Sequence, residues 1–193
     1  EFRAVIAGDS RYVIPETFPE FSTGRVLATS WEEGVPVDSP QVLGLSQERR
    51  NAIGEAALDL YFKELFRHGM MQTDPHFGNY RIRLGDGVPG GQPDRLVLLD
   101  FGAVRKFPQT FLKPYYRMVQ GAYEHDRERV WKSAREVGFL NDEDSPELLE
   151  AFAELCFLIS EPFSPDYAWG DSDLPKRAAR KGAQLAFSFK LRP

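Results

Sequence analysis

Apolar positions first gather at Tyr12-Val13-Ile14, where Pro15 stops them, and again at Arg25-Val26-Leu27-Ala28-Thr29. Both read as short strands in a stretch heavily punctuated by Pro and Gly. From Ser46 the spacing changes. Ile53, Ala57, Tyr61 and Leu65, with Leu58, Phe62 and Phe66 beside them, recur every three or four residues. That period predicts a long helix with one apolar face, Ser46 as its N-cap and Gly69 as its end. Met70 to Asn79 reads as a loop. Tyr80 to Leu84 alternates and Arg95 to Leu99 is a continuous apolar run, so the two predict a hairpin across the Gly- and Pro-rich segment from Gly85 to Asp94. After Gly102 the pattern is helical throughout. Helices are predicted from Pro108 to about His125, over Arg127–Val137 with Gly138 closing it, over Pro146–Ile159 with Ser145 as cap, and from Leu174 to about Phe187.

The polar residues give this order its interest. Phosphoryl transfer asks little of a protein: a carboxylate near the attacking oxygen, and hard oxygen ligands for the Mg²⁺ that neutralises the phosphates. Asp74 follows the long helix, Asn79 lies five residues further on, and Asp100 ends the buried strand before Phe101-Gly102. An Asp and an Asn at that spacing mean little alone. An Asp-Phe-Gly triplet after a buried strand means more, because that is the context the kinase motif requires. At this level two plainer readings stay open: Asp74 as a turn-capping loop residue, and the triplet as an ordinary strand exit.

The segments Gly69-Met70-Met71-Gln72-Thr73-Asp74-Pro75-His76-Phe77-Gly78-Asn79-Tyr80 and Leu98-Leu99-Asp100-Phe101-Gly102-Ala103 resemble the UbiB/AarF (ADCK) family of atypical kinases. So do Val13-Ile14-Pro15, the run from Val26-Leu27 to Gly34-Val35-Pro36-Val37, and the tail through Gly121-Ala122-Tyr123, Asp126-Arg127-Glu128 and Glu136 to Leu140. The resemblance spans nearly the whole chain. Its Gln72-Thr73-Asp74 form is similar to the branch tied to ubiquinone biosynthesis. It implies an α+β, protein-kinase-like fold: mostly the helical C-lobe, with a strand remnant of the N-lobe and the hinge. Residues 1–37 would end the N-lobe and carry the hinge. Residues 38–193 would be the C-lobe, with the catalytic loop at 70–80, the metal-binding triplet at 100–102 and the helical tail at 108–190.

The same resemblance implies roles. Asp74 would be the catalytic aspartate, and Asn79 and Asp100 the Mg²⁺ ligands. Thr29, Ser30, Trp31, Glu32 and Glu33 would form the hinge whose backbone holds the adenine of ATP or ADP. His76 stands where typical protein kinases carry a Lys. It is either a further phosphate or metal contact or a histidine that orders the turn. About five residues separate Gly102 from the helix near Pro108, and no Ala-Pro-Glu follows, so no phosphorylatable activation segment is expected. No lysine precedes Lys63 and no Gly-rich phosphate loop precedes the hinge. The phosphate-clamping Lys is therefore expected upstream, the chain reads as a piece of a longer protein, and alone it is expected to bind nucleotide weakly and turn over poorly.

Three functions compete. The first is an ATP-dependent atypical kinase or ATPase supporting prenyl-quinone lipid biosynthesis. The second is a small-molecule kinase of the aminoglycoside or choline type, disfavoured by Gln72 and the full Asp100-Phe101-Gly102. The third is a non-catalytic nucleotide-sensing scaffold for lipid enzymes.

Charge and composition trim the partners. The 193 residues carry a net charge of −5, which argues against a general nucleic-acid binder. One cysteine, Cys156 in an apolar run, suits a buried thiol and a reducing compartment, cytoplasmic or matrix-like. No window reaches the roughly 18–20 apolar residues of a membrane span. Lys176, Arg177, Arg180 and Lys181, followed by Leu185, Phe187 and Phe189, form either a solvated helix face or a peripheral membrane contact. His68 and His125 read as structural or exposed. Trp131 and Trp169 read as core or interface aromatics. Trp31 belongs in the adenine pocket or a lobe interface, and Asp142-Glu143-Asp144 in a solvated loop. The sequence carries no signal for oligomeric state.

Overall fold

The structure, a computed structural model, describes residues 3, 6, 8–74, 76–88 and 90–190, with the side chains of 187–190 outside the description. It divides into two compact units, Glu1–Phe107 and Pro108–Pro193.

The first unit is built on β1 (Tyr12–Val13), β2 (Val35–Pro36), β4 (Tyr80–Arg83) and β5 (Arg95–Leu98), in the order β1-β5-β4-β2. β4 and β5 form the predicted hairpin, with Tyr80 opposite Leu98 and Arg83 opposite Arg95. β1 adds in parallel beside β5, and β2 antiparallel beside β4. Leu96, Val97 and Leu98 are all buried, which is why β5 reads as a continuous apolar run rather than an alternating one. Arg49 grips Asp94 through two N–H donors at 2.8 and 2.6 Å, and so pins the wide hairpin loop to the start of the long helix.

A short helix, α1 (Pro40–Leu43), precedes the long one, α2 (Gln47–Phe62). The Ser46 side chain accepts the Arg49 N–H, as a cap should. Lys63–Arg67 then widens into a π-helical turn, and Gly69, at φ 64°, ends the element. The expected apolar face needs correction. Ala56 and Leu60 are the buried α2 positions, with Ile53 packed beside them, whereas Ala57, Leu58 and Tyr61 are exposed. Of the expected series Ile53, Ala57, Tyr61 and Leu65, the first three line an open cavity, with Ile53 also touching the core, and Leu65 is buried.

Two further expectations are revised. Met70–Gln72 is not loop but β3, and Val104–Lys106, expected only as a connection to the next helix, is β6; they pair antiparallel, with Gln72 opposite Val104. Arg25–Thr29 is not a strand. It forms only isolated bridges, Thr23 to Val26 and Thr17 to Thr29, because the chain reverses tightly at Gly24-Arg25 and leaves Val26 and Leu27 exposed.

The second unit is helical: α3 (Gln109–Tyr123), α4 (Arg127–Val137), α5 (Pro146–Ser160) and α6 (Leu174–Lys190). The Asp126 and Ser145 side chains cap α4 and α5, and Gly138 at φ 89° closes α4 as expected. Met118, Ala122, Val130, Ala134, Phe152 and Phe157 belong to its core, together with Cys156, whose thiol burial pushes up to about 12. Trp131 packs on that core and donates its indole N–H to the Leu149 carbonyl at 2.7 Å. Trp169 departs from expectation: it is exposed and meets only Tyr167 edge-on among the described aromatic contacts. The cations of α6 split. Arg177 pairs with Glu161 and Asp173, and Lys181 with Glu154, while Lys176 and Arg180 face solvent. Two of the four charges considered for a membrane face are thus spent holding α6 to the unit. The side chains of Phe187 and Phe189 lie outside the described residues.

Candidate nucleotide and metal site

The pairings of the first unit dictate where the polar residues meet. Residues 69–73 run antiparallel to 103–107: the Phe107 N–H donates to the Gly69 carbonyl at 2.7 Å and the Thr73 N–H to the Ala103 carbonyl at 3.1 Å. Residues 79–83 run antiparallel to 95–99, with the Leu99 N–H on the Asn79 carbonyl at 2.9 Å. One strand of each ribbon feeds the loop that holds Asp74, and the other strand of each borders the turn that holds Asp100. The two connections must therefore open from the same ends of both ribbons, although they are distant in sequence.

Gln72 joins them. Its side-chain oxygen accepts the Asp74 N–H at 2.9 Å, and its amide donates to the Asp100 carbonyl at 3.0 Å. Asn79 completes the loop by donating its amide to the Asp74 carbonyl at 3.0 Å and to Asp74 Oδ2 at 3.2 Å. The Gly102 N–H donates to Asp100 Oδ1 at 2.7 Å, and Phe101 packs against the core of the unit, so the carboxylate's direction is fixed from both sides. Thr73 secures the neighbouring strand through its hydroxyl on the Ala103 carbonyl at 2.6 Å.

These contacts leave the site's outward atoms as oxygens. Asn79 spends its amide nitrogen on Asp74, which leaves Oδ1 as an acceptor, and Asp100 keeps Oδ2. Such a set fits a hard cation like Mg²⁺, which is commonly held by one or two carboxylates and completed by waters and substrate phosphates. Among the described residues no group of three or more His, Cys, Asp or Glu side chains is placed to hold a metal alone.

His76 orders the turn: its Nδ1 accepts the Gly78 N–H at 2.9 Å, which leaves Nε2 alone for any phosphate contact. The 29–33 segment is strapped together and to β4. The Ser30 N–H donates to the Glu16 carbonyl at 2.7 Å, the Ser30 hydroxyl donates to Glu32 at 2.6 Å, and Arg83 pairs with Glu32 at 2.5 Å. Arg83 also donates to the Glu33 carbonyl, and a Cβ on Gly34 would stand 2.8 Å from that of Arg81, so only glycine permits this approach. The Ser30 hydroxyl, with Arg83, holds the Glu32 carboxyl below its usual range. Thr29 forms the bridge to Thr17, Glu33 is exposed, and Trp31 is 91% exposed.

One residue escaped sequence reasoning. Glu64 is 4% exposed, accepts the Gln72 backbone N–H at 2.9 Å, and is pushed by burial up to about 7 against the pull of that hydrogen bond. The Tyr80 phenol is raised too, by burial first and then by the charges of Glu64 and Asp74. The signal was present: residues 56, 60 and 64 share a helix face, and two of them are Ala and Leu. Glu64, Gln72 and Thr73 also border the apolar cavity, about 530 Å³, that Ile53, Leu58 and Tyr61 line.

The ABC1 atypical kinase-like domain matches residues 1–134. The mitochondrial atypical kinase COQ8B of Danio rerio is 34% identical over 163 residues, 84% of this chain and 25% of the relative. The mitochondrial atypical kinase coq-8 of Caenorhabditis elegans is 33% identical over 183 residues, 92% of this chain and 23% of the relative. The mitochondrial atypical kinase COQ8 of Schizosaccharomyces pombe is 29% identical over 196 residues, 100% of this chain and 30% of the relative. The chain therefore belongs to the ABC1 (UbiB/COQ8/ADCK) family of atypical kinase-like proteins, with a kinase-like α+β fold. It spans roughly a quarter of the length of these relatives. Among the described residues, no helix is long and apolar enough to cross a membrane.

Proposed function

We propose that this chain supplies the metal and phosphate end of the nucleotide site in a UbiB-type atypical kinase or ATPase that supports ubiquinone biosynthesis. Asp74 serves as the catalytic-loop carboxylate, Asn79 and Asp100 take Mg²⁺, and the backbone of residues 29–33 faces the adenine. On this reading most of the chain is C-lobe. The observation that carries it is the Gln72 amide, which ties the Asp74 and Asp100 backbones together at 2.9 and 3.0 Å. A scaffold of ordinary loops has no need to hold two acidic loop residues in register from the inside. The mitochondrial names of the relatives favour a mitochondrial location for this chain, and the lone buried thiol suits a reducing compartment.

When bound, Mg²⁺ would neutralise the phosphate oxygens. The chain's own groups divide the remaining work. Asn79 holds the Asp74 carboxylate by its Oδ2 and so orients it, and Gly102 does the same for Asp100. Asp74, on an exposed loop, can accept a proton from an attacking hydroxyl or water.

The test is Mg-ATP turnover and ADP binding by the full-length protein. Asp74→Asn is expected to abolish turnover and retain ADP binding, while Asp100→Asn loses the magnesium-dependent part of binding. Turnover unchanged in Asp74→Asn would remove the catalytic assignment.

A further inference from the structure

A carboxyl on the core face of a helix costs stability unless hydrogen bonds, pairing or neutralisation offset the loss of water, so its presence there calls for a reason. Glu64 is placed by the Ala56–Leu60–Glu64 face, at the opening of the π-helical turn, and its carboxyl reaches across to β3. It engages the backbone of Gln72, the residue whose side chain spans Asp74 and Asp100. We propose that Glu64 is a positioning residue for the Asp74–Asp100 site, acting through the backbone and amide of Gln72. This inference rests on the nucleotide reading given above and adds to it the element that sets the site's width. With the Gln72 N–H held, the amide has one position from which it can accept from Asp74 and donate to Asp100 together. Without the acceptor, the Gln72 backbone keeps its pairing with Val104 but loses its tie to the helix, and a shift of a fraction of an ångström there decides whether two loops serve one cation.

The test separates reach, charge and packing. ADP affinity of the full-length protein is measured with Mg²⁺ and with EDTA, at a temperature where circular dichroism shows every variant folded. Glu64→Met keeps the shape and removes the acceptor, Glu64→Asp keeps the charge and loses the reach, and Glu64→Gln keeps both reach and acceptor. Glu64→Met and Glu64→Asp are expected to lose about tenfold of the magnesium-dependent increment, as changes behind a metal site typically do, and to leave the affinity in EDTA unchanged. Glu64→Gln should retain the increment. A merely structural role would lower the thermal midpoint without separating the two affinities. If Glu64→Met does not fold, Glu64→Asp decides. Wild-type increments in the folded Met or Asp variants, or loss of the increment in Glu64→Gln, would overturn the inference. An increment absent from wild type, or kept by Asp100→Asn, would instead overturn the nucleotide reading, and this inference with it.

Discussion

The side-chain amide of Gln72 donates to the backbone carbonyl of Asp100 across 3.0 Å, although the two residues lie 28 positions apart in the chain. That bond crosses from one loop of the site to the other and makes their spacing a property of a side chain as well as of the sheet. Gln72→Met roughly preserves volume but removes both hydrogen bonds of the side-chain amide, the one it accepts from Asp74 and the one it donates to Asp100. It is expected to lower magnesium-dependent turnover by about tenfold or more with little change in fold, as judged by kcat and by circular dichroism.

The pH dependence of stability has an alkaline limb set by Glu64. Its folded value, about 7, lies above the ordinary 4.5, so the folded state holds the proton more tightly. The associated stability is fully present below about pH 4.5 and is lost as pH rises through 7, by an amount of up to ~3 kcal/mol. Denaturant unfolding at pH 5 and pH 8 should show this difference in wild type and a much smaller one in Glu64→Gln.

An acid limb comes from the cluster of Asp9, Arg11, Asp59 and Lys63. Lys63 bonds Asp9 at 2.9 Å and Asp59 at 2.8 Å, and Arg11 bonds Asp9 at 2.7 Å and also pairs with Asp59. The Arg11 hydrogen bond holds Asp9 well below the carboxylate range, and Lys63 and Arg11 lower Asp59 against the opposing effect of burial. Their stabilisation is present above about pH 4 and disappears as pH falls through the depressed values. Asp9→Asn should flatten the stability curve below pH 4 and leave the alkaline limb in place.

Cys156 is expected to be inert in the native state. Burial raises its thiol to about 12, so almost no thiolate forms at neutral pH, and the core of the helical unit excludes reagents. Labelling by a thiol reagent at pH 8 should proceed only as fast as that unit opens, and should accelerate sharply in denaturant. Rapid stoichiometric labelling without denaturant would contradict the packing described.

What the sequence disclosed follows from how local each signal is. The hairpin of Tyr80–Arg83 and Arg95–Leu98, the caps at Ser46 and Ser145 and the stop at Gly138 are written in neighbouring residues, and all were legible. Asp74, Asn79 and Asp100 were picked out by a motif and its place after an apolar strand; the structure brings their loops together, and their roles remain a proposal. The ribbon of Met70–Gln72 with Val104–Lys106 was not legible. Each strand is three residues long, and Arg105 and Lys106 are exposed, so neither shows a period; the pairing is imposed by the elements around it. Glu64 was hidden for a related reason. The helix has two candidate apolar lines, and only the fold shows that the one through Ala56 and Leu60 is buried while the one through Leu58 and Tyr61 borders an open cavity.

On the proposed function, Asp100 and its neighbours hold magnesium with a nucleotide. The most direct measurement is the thermal midpoint of the full-length protein with and without Mg-ATP, for wild type and Asp100→Asn. At a ligand concentration near a hundred times Kd, binding should stabilise wild type by ~2.7 kcal/mol, roughly 5–11 °C for a domain of this size, and should require magnesium. The shift is expected in wild type and is expected to vanish in Asp100→Asn; no shift in a folded wild type, or an undiminished one in the variant, would rule out magnesium and nucleotide binding at Asp100.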